Sequence, residues 1–319
     1  MVRYIGTRVV SSIFVLWVIS ILSFLLMNVL PGDPSFAVTG INATPEMIEF
    51  TKERLGLNLP LHERYGNWIF NLLQGDLGLT LVTQIPQNEI FERRVIATLE
   101  LGLLSLFVVV MVAIPVGVLA ALRPGSKREV TASTLMIVGN SIPEFLTGIG
   151  LVLLLGLELG LLPIVGYVPI WEDPIQNLRL MAMPVIAIAL TATTLLMRQT
   201  RSAMINVLND DYIRTARAKG LRGRAVIVRH GLRNALIPIV TVFGFQAGLI
   251  FSGAVITESV FAIPGMGRLF VDAVVISQDF AVVQNIVMFF AAAVVLVNLV
   301  VDLSYPFLDP RIRAGAAGT

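Results

Sequence analysis

The side chains with the greatest chemical capacity in this chain belong to a basic segment, residues 211–238, which lies between two apolar runs. Its cations are Arg214, Arg217, Lys219, Arg222, Arg224, Arg229 and Arg233. Charges at this density are too costly to bury in hydrocarbon, so the segment must lie in water beside a membrane. The segment therefore predicts a docking surface for a soluble partner. Attachment to anionic lipid through charge alone is the alternative.

Residue patterns typical of catalysis are absent from the sequence. The chain has no cysteine, and its two histidines, His62 and His230, lie outside the apolar runs. The patterns H-E-x-x-H, G-x-G-D and G-x-S-x-G do not occur, and neither does the phosphate-binding loop G-x-x-x-x-G-K-[ST]. We therefore expect no enzyme activity, no cofactor and no metal site.

The composition indicates a membrane protein. Of 319 residues, 56% are hydrophobic and only 14% are charged, against roughly 25% charged in a typical soluble domain. The apolar runs cover residues 9–30, 101–122, 131–155, 180–197, 235–256 and 280–303. Each is close to the roughly 20 residues that a helix needs to cross a bilayer. The sequence predicts an all-α membrane protein with six transmembrane helices, of which the fourth is the shortest.

The distribution of Lys and Arg predicts the orientation in the membrane. The first apolar run is too long for a signal-peptide core and is followed by Pro31-Gly32-Asp33-Pro34, so we interpret it as a retained anchor. If the N-terminus lies inside, most of the 23 cations fall in the inner segments. Both termini are then expected in the cytoplasm. The basic segment has few aromatic residues to stack on bases, so no nucleic-acid partner is expected.

The predicted organisation has four parts. Residues 1–30 form an N-terminal anchor helix, and residues 31–98 form an extracytoplasmic segment of short helices and turns. Residues 99–308 form a five-helix core that contains the basic loop 208–234, and residues 309–319 form a cytoplasmic tail.

Small residues and prolines recur within the predicted spans. Rows of small residues at every fourth position let helix backbones approach closely. The rows are Ala113-Gly117-Ala121 and Gly244-Gly248-Ser252. Prolines that can bend helices stand at Pro115, Pro143, Pro184 and Pro238. These patterns indicate a tightly packed bundle with bent helices.

The basic segment has the signals of a helix–Gly–helix unit. Asp210 or Asp211 can cap a helix over Tyr212–Lys219, and Gly220 supplies the left-handed residue that ends it. A second short helix is predicted at about Arg222–His230. Asn234 is then expected to cap the next spanning helix.

This unit resembles the cytoplasmic coupling loop of permeases in the ATP-binding-cassette importer superfamily. The family pattern has an acidic residue, two alanines, three further residues and a glycine. The matching positions here run from Arg214, Thr215 and Ala216 to Gly220, with Arg214 in place of the acidic residue. The pattern has a proline further on, and the matching position in this chain is occupied by Arg233 instead.

Further segments in the same order resemble the dipeptide/oligopeptide permease B-type branch. They are residues 29–34 (VLPGDP), 72–78 (LLQGDLG), 261–268 (FAIPGMGR) and 308–313 (LDPRIR). The resemblance implies a transport subunit in a bacterial or archaeal cytoplasmic membrane. It implies four partners: a second homologous permease, two ATPase subunits and an extracytoplasmic solute-binding protein. The ATPase-coupling residues implied are Asp211, Tyr212, Arg214, Thr215, Ala216, Arg217, Ala218, Lys219 and Gly220.

The cargo and the transport pathway are less constrained by the sequence. Glu144, in the third apolar run, and Gln246, in the fifth, are the candidate pathway residues. An ion-coupled secondary transporter that uses Glu144, with Glu100 as a second candidate, is the alternative function. Cargoes in the branch include dipeptides, oligopeptides, glutathione, nickel complexes and oligosaccharides.

Overall fold

The computed structural model describes residues 2–29, 34–39 and 43–308. The 31–33 part of the first sequence motif and the predicted tail 309–319 lie outside the described residues. In chain order the helices are α1 (Val2–Val29), α2 (Pro34–Thr39), α3 (Pro45–Arg54), α4 (Leu61–Leu73), α5 (Gln87–Leu122), α6 (Lys127–Ser141), α7 (Glu144–Leu151), α8 (Pro174–Leu208), α9 (Asp211–Ala218), α10 (Gly223–Ala225), α11 (Arg233–Val260), α12 (Met266–Val271) and α13 (Phe280–Leu308). Within the described part, the fold is all-helical apart from turns and one isolated bridge between Leu79 and Pro86.

Five helices are long and apolar enough to cross a membrane, and a bent pair brings the number to as many as six. The five are α1, α5, α8, the continuous helix Gly223–Val260 that contains α11, and α13. The predicted third span is the exception. It is divided into α6 and α7, which meet at 97°.

The break in the third span has a local cause. Pro143 has no backbone N–H, and its ring disfavours the helical conformation at the preceding residue. Ile142 accordingly adopts extended backbone angles, φ −90° and ψ 122°. The bend that the sequence predicts at Pro143 is therefore confirmed, and α6 and α7 together are the third of up to six candidate spans.

The fourth spanning helix is long and central, although its apolar run is short. Helix α8 has 35 residues, and 72% of its most apolar window is buried, against 17% for α1 and for α13. Helices α5 and α11 pack against α8, whereas α1 packs on α13 at the periphery. The run is short because polar and charged residues occupy both ends of the helix, such as Asn177 and Arg198.

Glycines of the predicted rows of small residues lie at close helix contacts. A Cβ on Gly117 would lie 2.7 Å from the Thr200 Cβ, so α5 and α8 can approach this closely only with glycine there. Gly244 packs in the same way on Val301 of α13. Gly117, Gly244 and Gly248 lie against a neighbouring helix as predicted, whereas Ser252, the last member of the second row, is exposed.

The segment between α1 and the core consists of short helices and turns, and hydrogen bonds connect it to the N-terminal part of α13. The Trp68 indole donates to the Asn285 side-chain oxygen over 2.9 Å, and the Asn285 amide donates to Gln87 over 2.9 Å. Helix α5 begins at Gln87, so the predicted boundary at residue 98 falls inside that helix. We call the side of the bundle that holds α2–α4 and α12 the α12 face, and the opposite side the α9 face.

Candidate functional sites

Helix α9 lies between the ends of two spanning helices. It begins two residues after α8 ends, with Asp210 as its N-cap residue. Its inner side packs on the protein, because Ile213 (0% exposed), Ala216 and Val226 form a small buried cluster with Leu208. This apolar contact sets the angle of α9 against the bundle.

Most of the predicted coupling residues share the exposed side of α9 and of the turn that follows. The exposed members are Asp211, Tyr212, Arg214, Thr215, Arg217, Ala218, Lys219 and Gly220. Ala216 is the exception, since it belongs to the buried cluster. Arg214 pairs with Asp211 at 3.3 Å on the surface, and such an exposed pair contributes little to stability. The exposed side is therefore free for contact with another molecule.

Gly220 ends α9 in the way that the sequence predicts. Its φ is +75°, a left-handed conformation that residues with a side chain rarely adopt. Its N–H donates to the Arg217 carbonyl at 2.9 Å, and the next N–H, of Leu221, donates to Ala216. A side chain here would meet open space, so the backbone angle alone requires glycine.

The segment after Gly220 differs from the prediction. Residues Gly223–Val260 form one continuous helix, with a π-helical stretch at Val226–Leu232. The predicted separate helix and the predicted cap at Asn234 were therefore wrong. No proline interrupts this stretch before Pro238, and the Asn234 amide instead donates to the Tyr212 hydroxyl (2.7 Å) and the His230 carbonyl (3.1 Å). A hydrogen bond thus connects α9 directly to the start of the spanning helix α11.

The two predicted pathway residues line one cavity in the membrane part of the protein. Its volume is about 210 Å³, and Glu144, Asn140, Gln246 and Thr191 are its polar lining residues. Glu144 is half-buried at the start of α7, and it accepts a hydrogen bond from Thr257. The Gln246 amide donates to the Ala192 carbonyl over 2.7 Å. The structure therefore brings Glu144 and Gln246 together between α6–α7, α8 and α11.

Comparison with known proteins identifies the family. The model of the "Binding-protein-dependent transport system inner membrane component" family matches residues 113–314, and the model of its N-terminal part matches residues 1–83. The chain belongs to this family of importer permeases.

Two relatives show how far the similarity extends. The dipeptide transport system permease protein DppB of Escherichia coli K12 is 39% identical over 92% of this chain and 94% of its own. The glutathione transport system permease protein GsiC of Escherichia coli O6:H1 is 36% identical over 98% and 99%. The chain is thus a transport subunit of an ATP-binding-cassette importer and not an enzyme, and it works in the inner membrane with an ATPase and a substrate-binding protein.

A solved structure supports the fold. The inward-facing MetNI methionine transporter has a chain that matches 69% of this permease with a TM-score of 0.58 and 18% identity, and 96% of that chain is covered. The number of residues outside the match is about that of α1 and the segment that follows it taken together.

Sequence reasoning missed one cluster on the α12 face of the permease core. The Glu258 carboxylate, 0% exposed, accepts from the Thr98 hydroxyl (2.5 Å) and from the Arg268 N–H (3.0 Å). The Met266 N–H in turn donates to Thr98 over 2.8 Å. A Cβ on Gly265 would lie 2.2 Å from the Glu258 carboxyl carbon. The glycines of the FAIPGMGR motif therefore make room for a buried carboxylate that anchors α12.

Glu100, the second candidate for ion coupling, is fully engaged in the permease. It accepts from the Tyr167 hydroxyl (3.0 Å), the Asn177 amide (2.9 Å) and the Ile170 N–H (3.1 Å). Burial raises the pKa of Tyr167 above its ordinary value, and the adjacent Glu100 carboxylate adds to the rise, so the phenol stays a donor. Glu100 thus fastens the loop between α7 and α8.

Proposed function

We propose that this permease is one of two homologous membrane subunits of a peptide importer and that α9 transmits motion from the ATPase. The observation that carries the proposal is the position of α9. Helix α9 lies between α8 and α11 in the chain, and it has a buried side of apolar residues and an exposed side of polar residues. A movement of a partner bound to that side would pass directly into both spanning helices.

The attachment of α9 is suited to such a transfer. The Ile213 cluster fixes one point of the helix, and the Tyr212–Asn234 hydrogen bond fixes a second point on α11. With Gly220 as the turn, α9 forms a short lever that cannot rotate independently of the two spanning helices. Tilting of these helices would alternate access to the membrane pathway.

The cavity beside Glu144 supports the proposal of a second permease. Its 210 Å³ is below the roughly 300–1,000 Å³ of ordinary ligand pockets. A pathway for peptides therefore needs a surface from another subunit opposite Glu144 and Gln246. The named cargoes of both relatives, dipeptides and glutathione, are peptides, and they support peptide cargo for this permease.

The function is tested by reconstitution. The permease, its partner permease, both ATPase subunits and the binding protein are assembled in proteoliposomes, and uptake of a labelled dipeptide is followed. We expect uptake that requires ATP and continues when a proton ionophore collapses the proton gradient. Uptake driven by the gradient without ATP would contradict the proposal and favour an ion-coupled transporter.

The proposed orientation places α9 and both termini in the cytoplasm. It is tested in intact cells, because the chain has no native cysteine to interfere with labelling. Cysteine at Gln84, an exposed residue of the α12 face, should react with a membrane-impermeant thiol reagent. Cysteine at Arg222, exposed next to Gly220, should react only after the cells are opened. Labelling of Arg222→Cys from outside would contradict this orientation.

A further inference from the structure

A cavity lies at the edge of the membrane on the α12 face, away from Glu144 and α9. Its volume is about 310 Å³. The end of α1, the start of α13, helix α4 and the turn before α4 form its walls. Its lining includes Phe24, Met27, Leu57, Arg64, Trp68 and Gln284. Nothing in the coupling function of the permease requires this cavity.

Arg64 of α4 is an unusual cation for this position. It is half-buried, its guanidinium carbon lies 5.9 Å from the centre of the Phe24 ring, and burial lowers its pKa. Within the described residues no carboxylate pairs with it, whereas Arg8 pairs with Asp302 at 3.3 Å. A partly desolvated guanidinium without a counter-charge is costly, so an anion in the cavity would stabilise it.

A second polar group in the same cavity is also without a partner. Gln284 of α13 is 8% exposed, and its amide nitrogen makes no hydrogen bond within the described part of the chain. A buried donor without an acceptor is expensive. An anion with several oxygen atoms could accept from both Arg64 and Gln284.

The aromatic residues around the cavity place it at the depth of lipid headgroups. Tyr65 and Trp68 pack on Phe24, with ring centres 5.5 and 6.3 Å away. Tyr and Trp are enriched at membrane–water boundaries. The neighbouring α1 and α13 have only 17% of their most apolar windows buried, so their remaining surface is available to lipid.

We propose that this cavity binds an anionic phospholipid, with its phosphate on Arg64 and its acyl chains along the apolar surface of α1 and α13. The lipid would join α1 to the segment that carries α4. The apolar lining and the position beside two exposed spanning helices favour a lipid over a soluble anion, which would gain nothing from the Met27 and Leu57 side chains.

The test compares lipid retention by the assembled importer. Wild type and Arg64→Gln are purified in detergent with phosphatidylglycerol and examined by native mass spectrometry. A hydrogen bond to a charged group contributes about 1.5–3 kcal/mol, so we expect roughly tenfold or greater loss of the bound lipid. Arg64→Lys, which keeps the charge, should retain more lipid than Arg64→Gln.

Arg54→Gln is the matched control, because Arg54 is an exposed arginine on the neighbouring helix α3. It should retain phosphatidylglycerol as wild type does. Equal retention by wild type and Arg64→Gln would overturn the proposal. Displacement of the lipid by inorganic phosphate alone would also overturn it, since the site would then bind a free anion. Retention of neutral lipid with the same Arg64 dependence would exclude the charge-based recognition proposed here.

Discussion

The two faces of this permease hold their connecting segments in different ways. On the α12 face, buried carboxylates each accept several hydrogen bonds. Glu258, for example, accepts from the Thr98 hydroxyl and the Arg268 N–H. On the α9 face, a small apolar cluster and the Tyr212 hydroxyl hold a helix whose polar side is exposed. The difference indicates a fixed frame at one end of the bundle and a lever, available to a partner, at the other.

The contrast has an energetic reason. Breaking a buried network leaves several groups unsatisfied, each at a cost of about 1–3 kcal/mol, so the α12 face should resist rearrangement. The exposed side of α9 faces solvent, so little free energy is lost when a partner displaces the water there. Variants on the α12 face should therefore reduce assembly, and variants on the α9 face should reduce coupling.

The largest expected effect is that of Gly267→Ala on the α12 face. The new Cβ would lie 2.4 Å from the Val255 Cα, a backbone atom that cannot move aside as a side-chain end could. Overpacking costs about 1–3 kcal/mol and sometimes more. We expect a lower unfolding temperature and less assembled complex on size-exclusion chromatography. The control is Gly150→Ala, where a Cβ meets no atom within 4 Å. Equal behaviour of the two variants would show that α12 is not rigidly held.

Ile213→Ala should produce an effect of comparable size but of the other kind, on coupling and not on assembly. The side chain is completely buried under α9, and such truncations cost about 2–5 kcal/mol. Because the loss is confined to α9, the spans should assemble while uptake per ATP hydrolysed falls. Val228→Ala, at an exposed apolar residue nearby, should leave that ratio unchanged. A fall in assembly without a fall in coupling would contradict the lever.

Two carboxylates, Glu144 on α7 and Glu258 on α11, allow the fixed frame to be tested separately from the pathway. Glu144→Gln keeps the shape and an acceptor for Thr257, so we expect altered uptake kinetics or cargo preference with an unchanged unfolding temperature. Glu258→Gln replaces one of the two accepting oxygens with an amide NH2 group, which cannot accept, so it should lower stability by about 1–3 kcal/mol. Unchanged uptake in Glu144→Gln would exclude a pathway role for its charge.

Tyr212→Phe should have the smallest effect. It removes the hydroxyl that accepts from Asn234 but keeps the ring in place. A neutral hydrogen bond contributes about 0.5–1.5 kcal/mol, so uptake per ATP should fall by a few-fold at most. Tyr4→Phe removes a hydroxyl that joins α1 to the Asp302 carbonyl of α13, and it should leave coupling unchanged. The comparison fails if Tyr4→Phe reduces coupling as much as Tyr212→Phe does.

Local patterns in the sequence were sufficient to predict much of the α9 face. An acidic start and Gly220 are signals within ten residues, and the structure has that helix and the positive φ, whereas the burial of Ile213 and Ala216 was not predicted. The bend after Ile142 also had a local signal, Pro143, although the sequence did not predict that it would reach 97°. The continuity of the helix through Asn234 was missed because a capping residue type also occurs inside helices.

The network around Glu258 was beyond local pattern reasoning. Thr98 and Glu258 are 160 residues apart in the chain, and a single sequence contains no signal for that contact. The glycines at 265 and 267 entered the sequence analysis only as part of the FAIPGMGR motif, which does not indicate what they enclose. The same reason explains why Arg64 and Gln284, which line one cavity, were not connected from the sequence.

Our central claim is that the turn at Gly220, together with the Ile213 cluster, holds α9 at the angle needed to couple ATP hydrolysis to transport. Gly220→Val is compared with Gly125→Val in the reconstituted importer. Both glycines lie on the α9 face with φ near +75° (+75° and +78°), and a Cβ on either meets no atom within 4 Å. Backbone strain from the substitution is therefore matched, and only the connection to α9 differs.

The measurement is dipeptide uptake per ATP hydrolysed, with the amount of assembled complex as the normalisation. The account predicts that Gly220→Val hydrolyses ATP with little uptake, or loses its ATPase subunits, although every charge of the basic segment is intact, while Gly125→Val stays coupled. Normal coupled uptake in Gly220→Val would contradict it, and would leave attachment of the basic segment to anionic lipid as the remaining explanation.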